Sequence, residues 1–203
     1  MILVITPEIM IPNETVMINQ MMQAGLDLLH IRKPQMGKRE MSELISEIDP
    51  SFYSRLVLHT HYELGKDYGI SRFHFREKDR KEGKYESFTG DSSISTSVHD
   101  MSTYNTLGKE WEYAFISPFF PSISKKGYGE NATIMEDIIH RNNKEVKLMA
   151  LGGIRPENIN RVFDAGADGA TLLGAVWENE DPLDIFVKCR KTVLNHLKKD
   201  SFL

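Results

Sequence analysis

Short apolar runs recur along this chain, and several of them carry no polar alternation. They are "ILVIT" (2–6), "LLHIR" (28–32), "LVLHT" (56–60), "RFHFR" (72–76), "SISTSVH" (93–99), "YAFISP" (113–118), "KLMAL" (147–151) and "GATLLG" (169–174). Runs of this length and kind predict parallel strands covered by helices. Between them the spacing becomes helical. Asn13 is placed to cap a helix that runs to about Ala24 and stops at Gly25. Met41, Leu44, Ile45 and Ile48 fall on one apolar stripe, and Ile134, Met135, Ile138 and Ile139 form another. In "RPENINRVFDAG", Ile159, Val162 and Phe163 share a side and Gly166 closes the segment. A last helix is predicted from about Pro182 to Lys199, with Phe186, Cys189, Val193 and Leu197 inward. Residues 62–69 and 100–108 carry shorter helical patterns, and 77–92 is polar and predicted irregular.

Eight strands alternating with helices imply a parallel sheet, and eight is the number that closes a barrel. The expected fold is therefore of the α/β class, a single-domain (β/α)8 TIM barrel over residues 1–203, with an open doubly wound sheet as its competitor. Composition agrees with a globular domain, at 40% hydrophobic and 27% charged residues. A formal net charge of −4 gives no basic footprint for nucleic acid. No apolar run reaches the length of a membrane span, and "MILVITPE" has no basic n-region, so it reads as a strand and not a signal peptide. Cys189 is the single cysteine, which excludes an intrachain disulfide and fits a reducing compartment. Its helical setting reads as a buried thiol and not a nucleophile. The expectation is a cytoplasmic protein with small-molecule ligands, no nucleic-acid or membrane partner, and an assembly left open, a homodimer included.

In such a barrel the chemistry sits where strands end and βα loops begin. Those positions collect Thr6, His30, Arg32, His59, Thr60, His74, Arg76, Ser97, His99, Ser117, Leu151, Gly152, Gly153, Leu173 and Gly174. The bland explanation is that strand ends meet water. Converging cations, hydroxyls and glycines favour an anion site instead. The strongest local signal is "LGGIRPENI" followed by "AGADGATLLGAVW". Glycines after strands seven and eight let backbone approach a ligand, and phosphate sites recur at these two loops. His59 and His61 have the spacing of a metal pair if one strand carries both. No cysteine or carboxylate completes the set, so these two, with His30, His74 and His99, read as satisfied rim or interior histidines.

Taken together, "LLHIRKP", "FHFREKD", "TSVHD", "FISPFFPSISKKG", "ALGGIRPENI" and "AGADGATLLGAVW" resemble, in order, the motifs of the thiamine phosphate synthase family and its sister group, the thiazole tautomerases. The resemblance covers nearly the whole chain and independently implies a (β/α)8 barrel. In the synthases, a hydroxymethylpyrimidine diphosphate loses pyrophosphate and is captured by the nitrogen of a thiazole phosphate. The resemblance implies Arg32 gripping pyrophosphate with Ser97 and Lys125, and Ser122 and Ser124 as hydroxyl donors where the family has threonines. It implies Gly153, Gly174 and the Leu173 backbone cradling the thiazole phosphate and Asp79 as a ligand to Mg2+; Gly152, His30 and His59, by their strand-end positions, are expected as further substrate contacts.

The chain also departs from the synthase pattern. His30 stands where that pattern has glutamine, and Pro34 where it has lysine, with Lys33 as a candidate substitute. His59 and Thr60 replace an Asn-Asp pair, so one expected Mg2+ carboxylate is a threonine. The tautomerase acid/base histidine corresponds to Pro118. The primary expectation is the synthase transferase. The alternatives are an isomerase using His30, His59 or His99, and a phosphate binder or regulator without catalysis.

Overall fold

Apolar alternation at a period of two places one face of each strand inside a ring and the other beneath helices. The computed structural model describes residues 1–121, 129 and 133–200, the last four by backbone alone. Its strands are β1 (Ile2–Ile5), β2 (Leu28–Ile31), β3 (Leu56–Leu58), β4 (Arg72–Phe75), β5 (Ser93–Val98), β6 (Trp111–Ile116), β7 (Lys147–Leu151) and β8 (Gly169–Leu172). They form a closed barrel in chain order, with β1 pairing β8 in parallel. The helices are α1 (Glu14–Gln23), α2 (Lys38–Ser46), α3 (Leu64–Tyr68), α4 (Glu77–Lys81), α5 (Met101–Asn105), α6 (Ile134–Asp137), α7 (Ile159–Asp164), α8 (Gly174–Trp177) and α9 (Pro182–Asp200). The (β/α)8 barrel expected from the sequence is the fold. None of the described helices is long and apolar enough to cross a membrane.

Two apolar clusters result. Leu3, Ile5, Leu28, Val57, Tyr113, Phe115 and Met149 fill the barrel interior, while a larger set packs the outer strand faces against the helices. Ile159, Val162, Phe186, Cys189 and Val193 are buried there as their helical spacing predicts, and Cys189 has no exposed surface.

Seven of the eight predicted strands run one or two residues too far at their C-terminal ends, so Thr6, Arg32, His59, Arg76, His99 and Ser117 begin the loops that follow, while β7 matches its predicted bounds. The polar stretch 77–92 is more ordered than its composition suggests. It contains α4, whose surface charges pair at i,i+3 and i,i+4, including Glu77–Lys81 at 2.8 Å. Tyr85 then packs on Trp111 and Phe88 on Phe73, with ring centroids 4.6 and 4.9 Å apart. The stripe through Ile139 breaks instead. After α6 the chain tightens into a 3₁₀ turn at Ile138–His140, which rotates Ile139 outward to 82% exposure.

Candidate active site

Every β strand delivers its C-terminal end to one rim, and the rim encloses a cavity of about 380 Å³. Arg32 follows β2, Arg76 follows β4, and Lys78 lies in the first turn of α4; all three line the cavity. Gly152, Gly153, Leu173 and Gly174, after β7 and β8, line it as well. Strands β4 and β8 stand opposite each other in the eight-membered ring, so Arg76 and Lys78 face a glycine-rich wall, and Arg32, after β2, stands midway between the two. Ser97, His99 and Ser117 complete the polar lining, and Ile5, Phe115 and Leu151 give it an apolar floor.

The glycines are there for a steric reason visible in the backbone. Gly152 and Gly153 have φ of 110° and 62°. The segment after β6 lies directly on them, with the Phe119 amide donating to Leu151 O at 2.9 Å and the Phe120 amide to Gly152 O at 3.1 Å. A Cβ on Gly153 would come within 2.8 Å of Phe120 Cβ. Tight approach therefore explains both glycines, and the same bareness leaves their backbone at the cavity wall. On the neighbouring strand, the Thr171 hydroxyl is buried, lines the cavity and has no hydrogen-bond partner among the described residues.

Arg32 is fixed at its base by its own amide, which donates to Thr6 Oγ1 at 2.9 Å. Its guanidinium reaches Glu8 at 2.6 Å while keeping about a third of the side chain exposed. Arg76 is committed more heavily. Its Nε donates to Asp79 Oδ2 at 2.8 Å, and Lys84 Nζ donates to Asp79 Oδ1 at 3.1 Å. Burial alone would raise the Asp79 carboxyl, but these two cations overcome it and hold the group below its usual range. Lys33 does not reach the cavity. It is fully buried in an ion pair with Glu14, 2.7 Å long, behind the barrel wall.

Beneath the cavity lies a cluster of imidazoles. His30 Nδ1 is 2.9 Å from His59 Nε2, and His30 Nε2 is 3.0 Å from the Tyr113 hydroxyl. His74 has Ser95 Oγ and Ser97 Oγ each at 2.9 Å from its two nitrogens. The His59 and His74 rings stack with centroids 4.3 Å apart. Burial, reinforced by the Arg32 charge, lowers the His74 pKa to about 3, and burial likewise keeps His30 and His59 well below the ordinary value. All three are neutral near pH 7. His59 and His61 do not form a pair: β3 ends at Leu58, and His61 turns away with φ 52° to Met36 O, 2.9 Å from its Nε2.

A family model described as "Thiamine monophosphate synthase" matches residues 2–176. The chain belongs to this family. It is 22% identical over 171 residues to the thiamine-phosphate synthase of Anoxybacillus flavithermus, across 80% of this chain and 79% of that protein. To the Bacteroides fragilis thiamine-phosphate synthase it is 22% identical over 175 residues, across 80% and 85% of the two chains. The solved thiamine phosphate pyrophosphorylase of Pyrococcus furiosus matches with a TM-score of 0.79 at 18% identity, covering 97% of this chain and 96% of that one. The Bacteroides thetaiotaomicron thiamine phosphate pyrophosphorylase matches with a TM-score of 0.76 at 24% identity, covering 95% and 96%. At these identities the structural likeness establishes the barrel.

Among the residues that family motifs single out, Arg32, His59, Ser97, Gly152, Gly153, Leu173 and Gly174 all reach the cavity. His30 lies below it, fully buried. Ser122, Ser124 and Lys125 lie outside the described residues. Asp79 sits behind Arg76 and does not line the cavity. The Mg2+ that the resemblance implies needs several hard oxygen donors. Here both Asp79 oxygens are occupied by cations, Thr60 offers a buried neutral hydroxyl, and Glu77, the carboxylate lining the cavity, is bound to Lys81. The described residues do not fit a protein-held Mg2+. Lys78, Glu77, Phe115 and Thr171 are among the cavity residues that motif reasoning missed. The inward alternation of β6 and β8 was the available signal for the last two.

Proposed function

We propose that this cavity performs a thiamine-phosphate synthase transfer, joining a pyrimidine methylene carbon to a thiazole nitrogen. The observation that carries the reading is that one cavity holds two anion-friendly walls: Arg76 and Lys78 after β4, opposite the β8 glycine end with Thr171 and its β7 neighbour, with Arg32 after β2 between them. The diphosphate of the pyrimidine substrate takes the cationic wall, and the phosphate of the thiazole takes the glycine wall. The two rings then meet over the apolar floor of Phe115, Leu151 and Ile5.

In the reaction the C–O bond to the diphosphate breaks and its electron pair leaves with pyrophosphate. The thiazole nitrogen lone pair forms the new C–N bond, and no net proton is moved. Negative charge grows on the departing oxygen, so fixed guanidinium and ammonium groups lower the barrier, and removing one donor of this kind costs about 10²–10³-fold in rate. Arg32, bonded through one nitrogen to the exposed Glu8 while Arg76 is bonded through two to the buried Asp79, is assigned the leaving group. Lys125, Ser122 and Ser124 are proposed as further phosphate contacts on the family motif alone.

A second reading rests on one observation. His99 lines the cavity half-exposed, with Nε2 3.9 Å from Glu77 and Nδ1 3.0 Å from Ser117 O. A solvated histidine beside a carboxylate can move a proton, as a thiazole isomerase requires. The two readings part on a binding experiment. The transferase binds pyrophosphate and a thiazole phosphate simultaneously, giving two additive heats in calorimetry, with the first lost in Arg32→Ala. Mutual exclusion of the two anions sinks the transferase and leaves the isomerase.

A further inference from the structure

We propose that His30, His59 and His74 form a binding site for a divalent transition metal of the Zn2+ type at the floor of the cavity. One nitrogen from each ring lies within 4.8 Å of the other two. Zn–N bonds of about 2.0–2.1 Å in a tetrahedron put ligand nitrogens about 3.3 Å apart. The observed His30–His59 separation of 2.9 Å is slightly short of that and the limit of the cluster is longer. Closing the set requires His74 Nε2 to exchange its 2.9 Å contact with Ser97 Oγ for the metal.

Three features set this cluster apart from ordinary interior histidines. Such barrel positions are usually filled by branched aliphatic side chains, yet three consecutive strands, β2 to β4, supply imidazoles at or just beyond their ends. The rings are held from behind. Tyr113 OH lies at His30 Nε2, and Ser95 Oγ at His74 Nδ1, which is the outer-shell support that orients metal-bound imidazole. The donor set is all nitrogen, which suits Zn2+ or Co2+ and disfavours Mg2+ and Ca2+.

Three protein ligands leave a fourth position, and it opens on the cavity because His59 and His74 line it. Arg32 and Arg76 also line that space. Beside these cations, the fourth ligand is an oxygen of an anion or of water. The site is independent of the transferase reading and stands if that reading fails.

The test uses untagged full-length protein, stripped with a chelator and titrated with Co2+. The expected result is one Co2+ per chain, with the intense visible absorption of four-coordinate cobalt, displaced by Zn2+. His59→Gln should abolish that band at unchanged melting temperature, while His61→Gln and His140→Gln keep it. Absence of saturable Co2+ binding in the wild type overturns the proposal, as does a band that survives in folded His59→Gln. If His59→Gln does not fold, X-ray absorption of the wild-type Zn2+ form decides. Three imidazole nitrogens support the site, and two or fewer overturn it.

Discussion

At the residue scale, Gly153 shows how one position serves both folding and the site. Its φ of 62° and the closeness of Phe120 Cβ, 2.8 Å from where its own Cβ would stand, leave no room for a side chain. Gly153→Ala should destabilise the barrel by about 1–3 kcal/mol, the usual cost of a strained left-handed residue. Urea unfolding measures this, and unchanged stability would show that the loop after β6 yields freely. Arg32 contrasts with Arg76 on the same rim. Arg32 has a surface partner in Glu8 and can turn to a ligand, whereas Arg76 is held by a carboxylate that it partly neutralises. Arg32, Ser97 and the four residues at the β7 and β8 ends were legible because each sits in a local motif. The histidine cluster was not. Its members are 29 and 15 residues apart along the chain, and their meeting depends on barrel register, with His30 beside Val57 and Leu58 beside Phe73. The visible spacing, His59 to His61, pointed instead to a pair that the end of β3 pulls apart.

At the scale of elements, the packing of α1 against the loop after β2 depends on the Lys33–Glu14 pair. Both side chains have no solvent exposure, and Glu14 Oε1 has no hydrogen-bond partner among the described residues. Burial raises the Glu14 carboxyl and lowers the Lys33 amine, against the pull of their mutual hydrogen bond. Breaking such a pair strands a charge, so Glu14→Gln should cost about 3–5 kcal/mol. Replacing both, as Glu14→Leu with Lys33→Met, should recover most of that loss in thermal or urea unfolding. A double variant no more stable than the single one would mean that the pair itself holds the two segments. Lys33 read in the sequence as a substitute for a motif lysine. Chemistry-bearing motifs do not report on which side of a strand end a long side chain departs, and here it departs away from the cavity. The helix at 77–81 was hidden for a related reason, since surface ion pairs and two aromatic anchors stabilise it without an apolar stripe.

At the scale of the whole molecule, the barrel was the most legible feature. Its eight strands follow from runs of β-rich residues, and closure follows from their number. What the sequence could not supply was the state of the cations at the rim, because pairing between Asp79, Arg76 and Lys84 forms only in the folded chain. That pairing removes the expected Mg2+ carboxylate and leaves an arginine and lysine wall facing a glycine wall. The central claim is that these walls hold two phosphorylated rings for one bond-forming step. The most direct measurement is product formation by mass spectrometry, with purified protein given hydroxymethylpyrimidine diphosphate and thiazole phosphate. The account predicts thiamine phosphate and pyrophosphate in equal amounts, with kcat/KM lowered about 10²–10³-fold in Arg32→Ala. Folded wild-type protein that binds both substrates and forms no thiamine phosphate, or a wild-type rate in Arg32→Ala, would contradict it.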